Sequence, residues 1–375
     1  MKFKKSRHGA NGSTSSESLI KQVHEIRPIL ITGGAGFIGT NLAHRFLAQG
    51  QPVLIYDTLS RPGVERNWKW LHDLHGDRVR LERSDVRNSA ALKKAARQAR
   101  QVFHFAAQVA VTTSLTNPIE DFEINCGGTL NLLEALRALP TRPPLIFTST
   151  NKVYGDLADV HLSLRGKRYT PDDREVEAHG FSEKRRLDFH SPYGCSKGSA
   201  CQYVLDYART FGLPTAVFRM SCIYGPHQFG NEDQGWVAHF LIRALERSPI
   251  TIYGDGCQVR DILFVEDLVE AFLLASKHMP AIAGQAFNIG GGPANTISLN
   301  ELLDAITTLQ GESPKVVFED WRAADQRFYV SDIRKFSSAT GWMPRVGVND
   351  GVKRLFQWLL ESWEGSPLPM RIAAL

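Results

Sequence analysis

The chain has 375 residues, 43% of them hydrophobic and 22% charged, enough to bury a sizeable core in one large or two smaller domains. Its formal charge of +5 is concentrated at the start: residues 1–27 carry six Lys/Arg against two Glu, so the rest is near neutral and no nucleic-acid face is implied. No uncharged apolar run approaches the roughly 20 residues of a membrane span, and five scattered cysteines without a Cys-x-x-Cys pair point to reduced thiols in a cytoplasmic protein.

Residues 1–27 read as a disordered basic tail, because Lys2, Lys4, Lys5 and Arg7 are followed by Gly, Ser and Thr instead of an apolar stretch. Residues 28–32 form a short apolar run that stops at Gly33-Gly34-Ala35-Gly36-Phe37-Ile38-Gly39 and turns helix-periodic through Leu42, Phe46 and Leu47. The order is strand, glycine turn, helix. Gly33 permits the tight turn, Gly36 lets backbone amides approach a pyrophosphate, and Gly39 allows close helix packing. The helix N-terminus then turns its positive end to the phosphates. Residues 53–57 read as a second parallel strand ending in Asp57, a carboxylate suited to accept from both adenosine ribose hydroxyls and to repel a 2′-phosphate. NAD is therefore favoured over NADP.

Alternation continues with a strand at 80–83 leading to Asp85-Val86, a helix near 89–99, a strand at 101–105, a helix from Pro118 to about 138 capped by Asn117, and a strand at 145–150. This pattern predicts an α/β fold: a doubly wound parallel sheet covered on both faces, with a smaller C-terminal substrate-binding α/β region. Ligands lie beyond the carboxyl ends of such strands, where Gly33, Asp57, Asp85, Ala106, Ala107 and Thr150 all fall. No metal site is read: His72 and His75 suit a surface helix, and His104 suits a packed or backbone-bonded position. Segment 157–190 is polar, charged and weakly periodic, and suggests an inserted loop at the edge of the site or a flexible flap.

Ser191-Pro192-Tyr193-Gly194-Cys195-Ser196-Lys197 opens another helix, with Ser191 as N-cap and Pro192 in the first turn. Tyr193 and Lys197 then share one face at i, i+4. A cation beside a phenol lowers its pKa, and such a tyrosine can exchange a proton with an alcohol while a nicotinamide exchanges the hydride. Beyond residue 222 the chain is less regular, with helices expected at 271–276 and 299–309. Arg260 and Arg327 suit a nucleotide diphosphate, since guanidinium groups bind phosphate oxygens in pairs and stay charged. The division expected is a dinucleotide-binding domain over 28–221 and a sugar-nucleotide-binding domain over 222–365, with a segment near 256–270 returning to the large sheet.

Five motifs taken together carry a resemblance: 32–39, Phe103-His104-Phe105-Ala106-Ala107, Tyr193-x-x-x-Lys197, Tyr224-Gly225-Pro226, and Arg260-Asp261-Ile262-Leu263-Phe264-Val265-Glu266-Asp267. From about 28 to 360 the chain resembles the extended short-chain dehydrogenase/reductase family, in its NAD-dependent sugar-nucleotide epimerase/dehydratase branch. The resemblance implies Thr150 as the hydroxyl partner, Tyr193 as acid/base and Lys197 as holder of the nicotinamide ribose. It implies cofactor contacts at Phe37, Ile38, Ser60, Arg61, Asp85, Val86, Ala106, Ala107, Gln108 and Asn125, and a homodimer through the helices near 118–138 and 192–211.

Dehydratases of this branch carry an Asp-Glu pair after the threonine; here it is Asn151-Lys152, and Cys222 occupies a slot that is Asn in many hexose 4-epimerases. The stretches 57–63, 148–156 and 228–240 resemble a narrower group, the CDP-paratose 2-epimerases. That implies substrate contacts at Asn151, Lys152, Cys222 and Gln228, and inversion of a sugar carbon by transient oxidation on NAD. A UDP-hexose 4-epimerase and a non-catalytic NAD sensor are the alternatives.

Overall fold

Strands buried on both faces of a parallel sheet require unbroken apolar runs. Such runs become β1 (Ile29–Thr32), β2 (Val53–Asp57), β4 (Gln101–His104) and β5 (Leu145–Thr150), while β3 (Val79–Arg83), at the sheet edge, is half polar. The computed structural model describes residues 27–322 and 325–362; the basic stretch 1–26 lies outside the described residues. The chain continues through β6 (Leu162–Arg165), β7 (Arg168–Pro171), β8 (Thr215–Met220), β9 (Cys222–Tyr224), β10 (Ile250–Tyr253), β11 (Val259–Phe264), β12 (Gln285–Ile289), β13 (Thr296–Ser298), β14 (Val316–Glu319) and β15 (Phe328–Tyr329).

Seven strands form one parallel sheet in the order β12-β8-β5-β4-β1-β2-β3. From β1 the chain winds outward to β3, then returns to β4 on the other side of β1. The reversal opens a crevice beyond the carboxyl ends of β1 and β4, the place where doubly wound sheets bind ligands. Alternate strand residues serve opposite layers. Ile31, Ile55, Phe103 and Phe218 pack under the helices Phe37–Ala48, Val64–His75 and Val265–Lys277. Leu30, Tyr56, Val102 and Phe147 face Ser89–Gln98, Gly128–Arg137 and Ser191–Phe211. Each such large side chain contributes about 1.5–3 kcal/mol by leaving water, which fixes the register of every strand.

Three expectations change. The strand that rejoins the large sheet is β12; residues 259–264 form β11, which pairs with β9, β13 and β15 in a smaller sheet. Only the helix after β11 returns to the large sheet, where Leu268 and Phe272 join its core, as do Phe336 and Trp342 from farther on. A boundary at 221/222 is therefore crossed repeatedly. The helix expected over 118–138 carries a π-turn at Glu123–Gly127, holding buried Asn125 and Cys126, and Asn117 does cap it, its Oδ1 accepting from Glu120 N at 3.3 Å. Segment 157–190 is no open loop: β6 and β7 form a hairpin, Asp173 caps the helix Arg174–His179, and Phe181 N donates to Val330 O at 2.7 Å.

Candidate active site

The glycine turn has no room for side chains. Gly33 sits at φ +68, and a Cβ there would lie 2.7 Å from Ala106 N. At Gly39 a Cβ would lie 2.5 Å from both Gly33 O and Gly34 Cα. The helix that follows begins with half-buried Phe37 and Ile38, has no side-chain cap at Gly36 and no acid in its first turn, so its free amides present a positive end to an anion. Asp57 closes the turn from β2: its Oδ2 accepts from Ala35 N at 3.1 Å and its Oδ1 from Leu59 N at 2.9 Å. Burial pushes its pKa up, while those amides and Arg61 pull it down.

The other expected cofactor residues take distinct places. Ser60 is exposed and shares a hydrogen bond with Thr58 at 2.8 Å. Arg61 bonds to Gln234 Oε1, and a Cβ on neighbouring Gly63 would strike the Phe229 ring, so the segments 57–63 and 228–240 interlock. Asp85 is held by Arg87, with Nη2 to Oδ2 at 2.8 Å, which brings its pKa below the ordinary range. Val86 is buried against Gly128. Ala106 N donates to Thr32 Oγ1 at 3.3 Å, and Ala107 follows it, half-buried, at the crevice. Gln108 and Asn125 both turn inward to Asp121, at 3.0 and 3.1 Å.

Two histidine readings are refined. His75 is buried, its Nε2 3.0 Å from His44 Nδ1, so only His72 lies on the surface of that helix. His104 is wholly buried and bonded to side chains, Thr32 Oγ1 at 2.6 Å and Thr129 Oγ1 at 3.0 Å. Burial, then the Lys197 charge, lowers its pKa to about 3. Below pH 6.5 the unfolded chain gains a proton at this site that the fold refuses, so stability is whole above pH 6.5 and is lost as pH falls toward about 3. The expected contribution is about 1.4 kcal/mol per pH unit. His104→Gln should therefore show a shallower fall of Tm between pH 6.5 and 4 than wild type, and equal slopes would contradict it.

The catalytic candidates come from β5 and the helix Ser191–Phe211. The helix begins at Ser191 itself, with His190 and not Ser191 at the N-cap position; Ser191 Oγ still accepts from Gly194 N at 3.2 Å, and Ser114 Oγ accepts from Tyr193 N at 3.2 Å. Tyr193 is 8% exposed and Lys197 4%. The expected tuning differs: burial raises the Tyr193 pKa to about 12, with a hydrogen bond to Thr150 pulling the other way. Lys197 does not reach the phenol; its Nζ donates to Thr148 O at 2.7 Å and lies 4.4 Å from the centre of the Phe147 ring. Burial brings its pKa down to about 8. At the phenol, loss of solvent outweighs the Thr150 hydrogen bond, and the Asp121 charge adds to the rise.

A cavity of about 320 Å³ has walls that include Thr112, Lys152, Cys222, Trp236, Arg260 and Asp325; Thr150, Tyr193 and Lys197 are not among its lining residues, and the chain links it to them through Lys152, two residues after Thr150. Asp325 holds both cations, Arg260 Nη2 at 2.8 Å and Lys152 Nζ at 3.4 Å. Burial works against its charge, yet Arg260 and Lys152 outweigh it and keep the carboxyl below its ordinary pKa. The Cys222 thiol accepts from Trp236 Nε1 at 3.4 Å, and burial raises its pKa. Asn151 and Gln228 are buried outside the wall, Asn151 Nδ2 donating to Gln326 at 3.0 Å and Gln228 Nε2 to Ile223 O at 3.2 Å.

Arg327 is exposed and outside the wall, its guanidinium 5.0 Å from the Trp321 ring centre. Arg322 lines the cavity in its stead, 3.9 Å from the Tyr253 ring centre. Nothing in the spacing of the two arginines distinguishes them. Asp121 was also missed, although its i, i+4 relation to Asn125 was visible.

The sequence profile of the NAD dependent epimerase/dehydratase family matches residues 29–290. A CDP-paratose 2-epimerase of Salmonella typhi is 44% identical over 337 residues, 88% of this chain and 98% of that protein. A solved UDP-glucose 4-epimerase with UDP-glucose, from Thermotoga maritima, is 29% identical with a TM-score of 0.76, covering 89% of this chain and 99% of its own. A UDP-glucuronic acid 4-epimerase from Bacillus cereus, in complex with UDP-glucuronic acid and NAD, is 27% identical with a TM-score of 0.77, covering 90% of this chain and 100% of its own. The side-chain-free glycine turn, its uncapped helix and the Asp57 carboxylate fit a dinucleotide. The chain belongs to the NAD dependent epimerase/dehydratase family and is an enzyme that uses NAD.

Proposed function

We propose that the protein is a nucleotide-sugar epimerase that inverts C2 of a CDP-activated sugar through a transient keto sugar. The observation that carries this reading is the likeness to a CDP-paratose 2-epimerase over almost the whole chain, in company with Thr150, Tyr193 and Lys197 and with a cavity that Lys152, two residues after Thr150, and Arg260 both line. Tyr193 takes the C2 hydroxyl proton and later returns it; Thr150 Oγ1 holds the reacting oxygen. NAD, held by the glycine turn, Asp57 and Lys197, would supply reversible hydride chemistry at C2. Lys197, its ammonium held by Thr148 O, binds the nicotinamide ribose. Proton transfer from a positioned group is worth about 10²- to 10⁴-fold in rate.

Asp57, with the glycine turn, holds the adenosine half of NAD, and Asp85, Val86, Ala106 and Ala107 border it. Lys152 and Arg260 bind the substrate diphosphate, for which Asp325 holds them ready. Asn151-Lys152 after Thr150 provides no acid–base pair for removal of water, so epimerisation is favoured over dehydration. The subunit forms a homodimer through the helices Pro118–Phe122 and Ser191–Phe211, where Ile119, Phe122 and Tyr203 stand exposed. Among the described residues no helix is long and apolar enough to cross a membrane.

Structural neighbours that act on UDP sugars at C4 favour a second reading, a UDP-hexose 4-epimerase. Separate assays with CDP-, UDP-, GDP- and dTDP-sugars decide between them, and inversion at C4 of a UDP-hexose alone would replace the first reading. Loss of turnover on every sugar nucleotide would leave an NAD-binding sensor. With a CDP-sugar in deuterated water, the product should carry no deuterium at C2 by NMR, since the same hydride returns. Label at C2 would show enolisation instead.

A further inference from the structure

Carboxylates stay at protein surfaces unless something compensates their loss of water. Asp121, on the helix Pro118–Phe122, has 0% exposure. Three side chains converge on it: Gln108 Nε2 at 3.0 Å and Asn125 Nδ2 at 3.1 Å on Oδ1, and Ser196 Oγ on Oδ2. All three are neutral. They come from the loop after β4, the π-turn and the second turn of the helix that carries Tyr193 and Lys197. Ser196 Oγ also lies 3.2 Å from Tyr193 O and receives Asn125 Nδ2 at 3.0 Å. Neutral donors satisfy the oxygens without cancelling the charge, and a buried charge demands an opposite one.

We infer that Asp121 is a positioning residue for the reaction: its buried carboxylate is the counter-charge that keeps the Lys197 ammonium protonated in a dry site, and its hydrogen bonds fix the second turn of the catalytic helix. This rests on the Tyr193–Lys197 reading above. Among the other groups facing Lys197, Thr148 offers a carbonyl, Phe147 a ring, and His104 is held neutral by burial; the buried Cys201 thiol raises Lys197 as well, ahead of Asp121, but Asp121 is the one carboxylate that acts on it. Asp121 and Lys197 act on each other in the expected sense, the carboxylate raising the lysine and the lysine lowering the carboxylate, while burial, the largest influence, leaves the Asp121 carboxyl above its ordinary pKa. Glu120 and Glu123, on the same stretch of helix, face outward to Arg87 instead.

The test is a pH titration of Lys197 by NMR in NAD-loaded protein carrying ε-¹³C lysine, which needs no turnover. Wild type should titrate near pH 8. Asp121→Asn should lower the midpoint by about half a unit or more, and Ser196→Ala, which keeps the charge, should leave it in place. The kcat/KM profile of Asp121→Asn should shift toward acid, since Lys197 stays protonated only at lower pH. An unmoved midpoint in Asp121→Asn overturns the inference, because it shows that Asp121 is itself protonated. An equal shift in Ser196→Ala overturns it too, because hydrogen bonding and not charge would then be responsible. Should Asp121→Asn not fold, the exchange Asp121→Asn with Asn125→Asp keeps both the bond and the charge, and a midpoint there far below that of wild type is equally fatal. Failure of the epimerase reading would appear separately, as wild-type protein that titrates as described and turns over no sugar nucleotide.

Discussion

Tyr193→Phe is expected to lower turnover by about 10²- to 10⁴-fold while NAD remains bound and the fold intact. The substitution removes one oxygen from a ring that is 92% buried, so packing against the helix and the wall of the crevice is unchanged. What disappears is the group that exchanges a proton with the sugar hydroxyl. In the protein alone burial holds that phenol protonated, with a pKa of about 12. The phenol therefore works only once the loaded site supplies positive charge, and no other group here replaces it: Thr150 is a poor acid, and Lys197 is committed to Thr148 O. Turnover on the sugar nucleotide, NAD content after denaturation and Tm together check the expectation. Near-normal activity would remove Tyr193 from the chemistry altogether.

Gly39→Ala should cost the protein both its cofactor and part of its stability. The added methyl would meet Gly33 O and Gly34 Cα, each at 2.5 Å, and both are backbone atoms of the turn itself. No side chain can move aside, so either the turn opens or the helix Phe37–Ala48 shifts outward; overpacking of this kind costs about 1–3 kcal/mol. A turn displaced by even a fraction of an ångström no longer aims its amides at a pyrophosphate, and NAD affinity should fall by roughly 10²-fold. Gly36→Ala is the comparison. Its Cβ would approach only Gly33 O, at 3.2 Å, so Tm should hold while NAD retention suffers from crowding of the phosphate. The outcome against this account is a Gly39→Ala protein that keeps stoichiometric NAD at the wild-type Tm.

Local features were legible because their physics is local. The strand–glycine turn–helix unit, Asp57 at the end of the second strand, the Asn117 cap and the i, i+4 placement of Tyr193 and Lys197 each depend on residues within one contiguous stretch. Strand–helix alternation was legible as far as β5, whereas β8 and the order of the strands in the sheet were not. Alternation failed at 256–270, where an apolar strand had two sheets open to it and periodicity alone does not choose between them. The same limit explains the arginines: Arg322 and Arg327 are five residues apart in one irregular segment, and only the course of that segment past Tyr253 and Trp321 decides which one faces the cavity.

Amino-acid order alone thus determined the parallel α/β architecture, the dinucleotide turn and the shared helix face of Tyr193 and Lys197, since hydrogen-bond geometry and side-chain periodicity act over a few residues. Tertiary structure decided the electrostatics. The phenol is raised and not lowered, Lys197 answers to Thr148, Arg61 is taken up by Gln234, and Asp121 is sealed beneath the catalytic helix. Each of those outcomes depends on how completely water is excluded and on which groups are brought together from distant parts of the chain. Neither quantity is a property of any short segment.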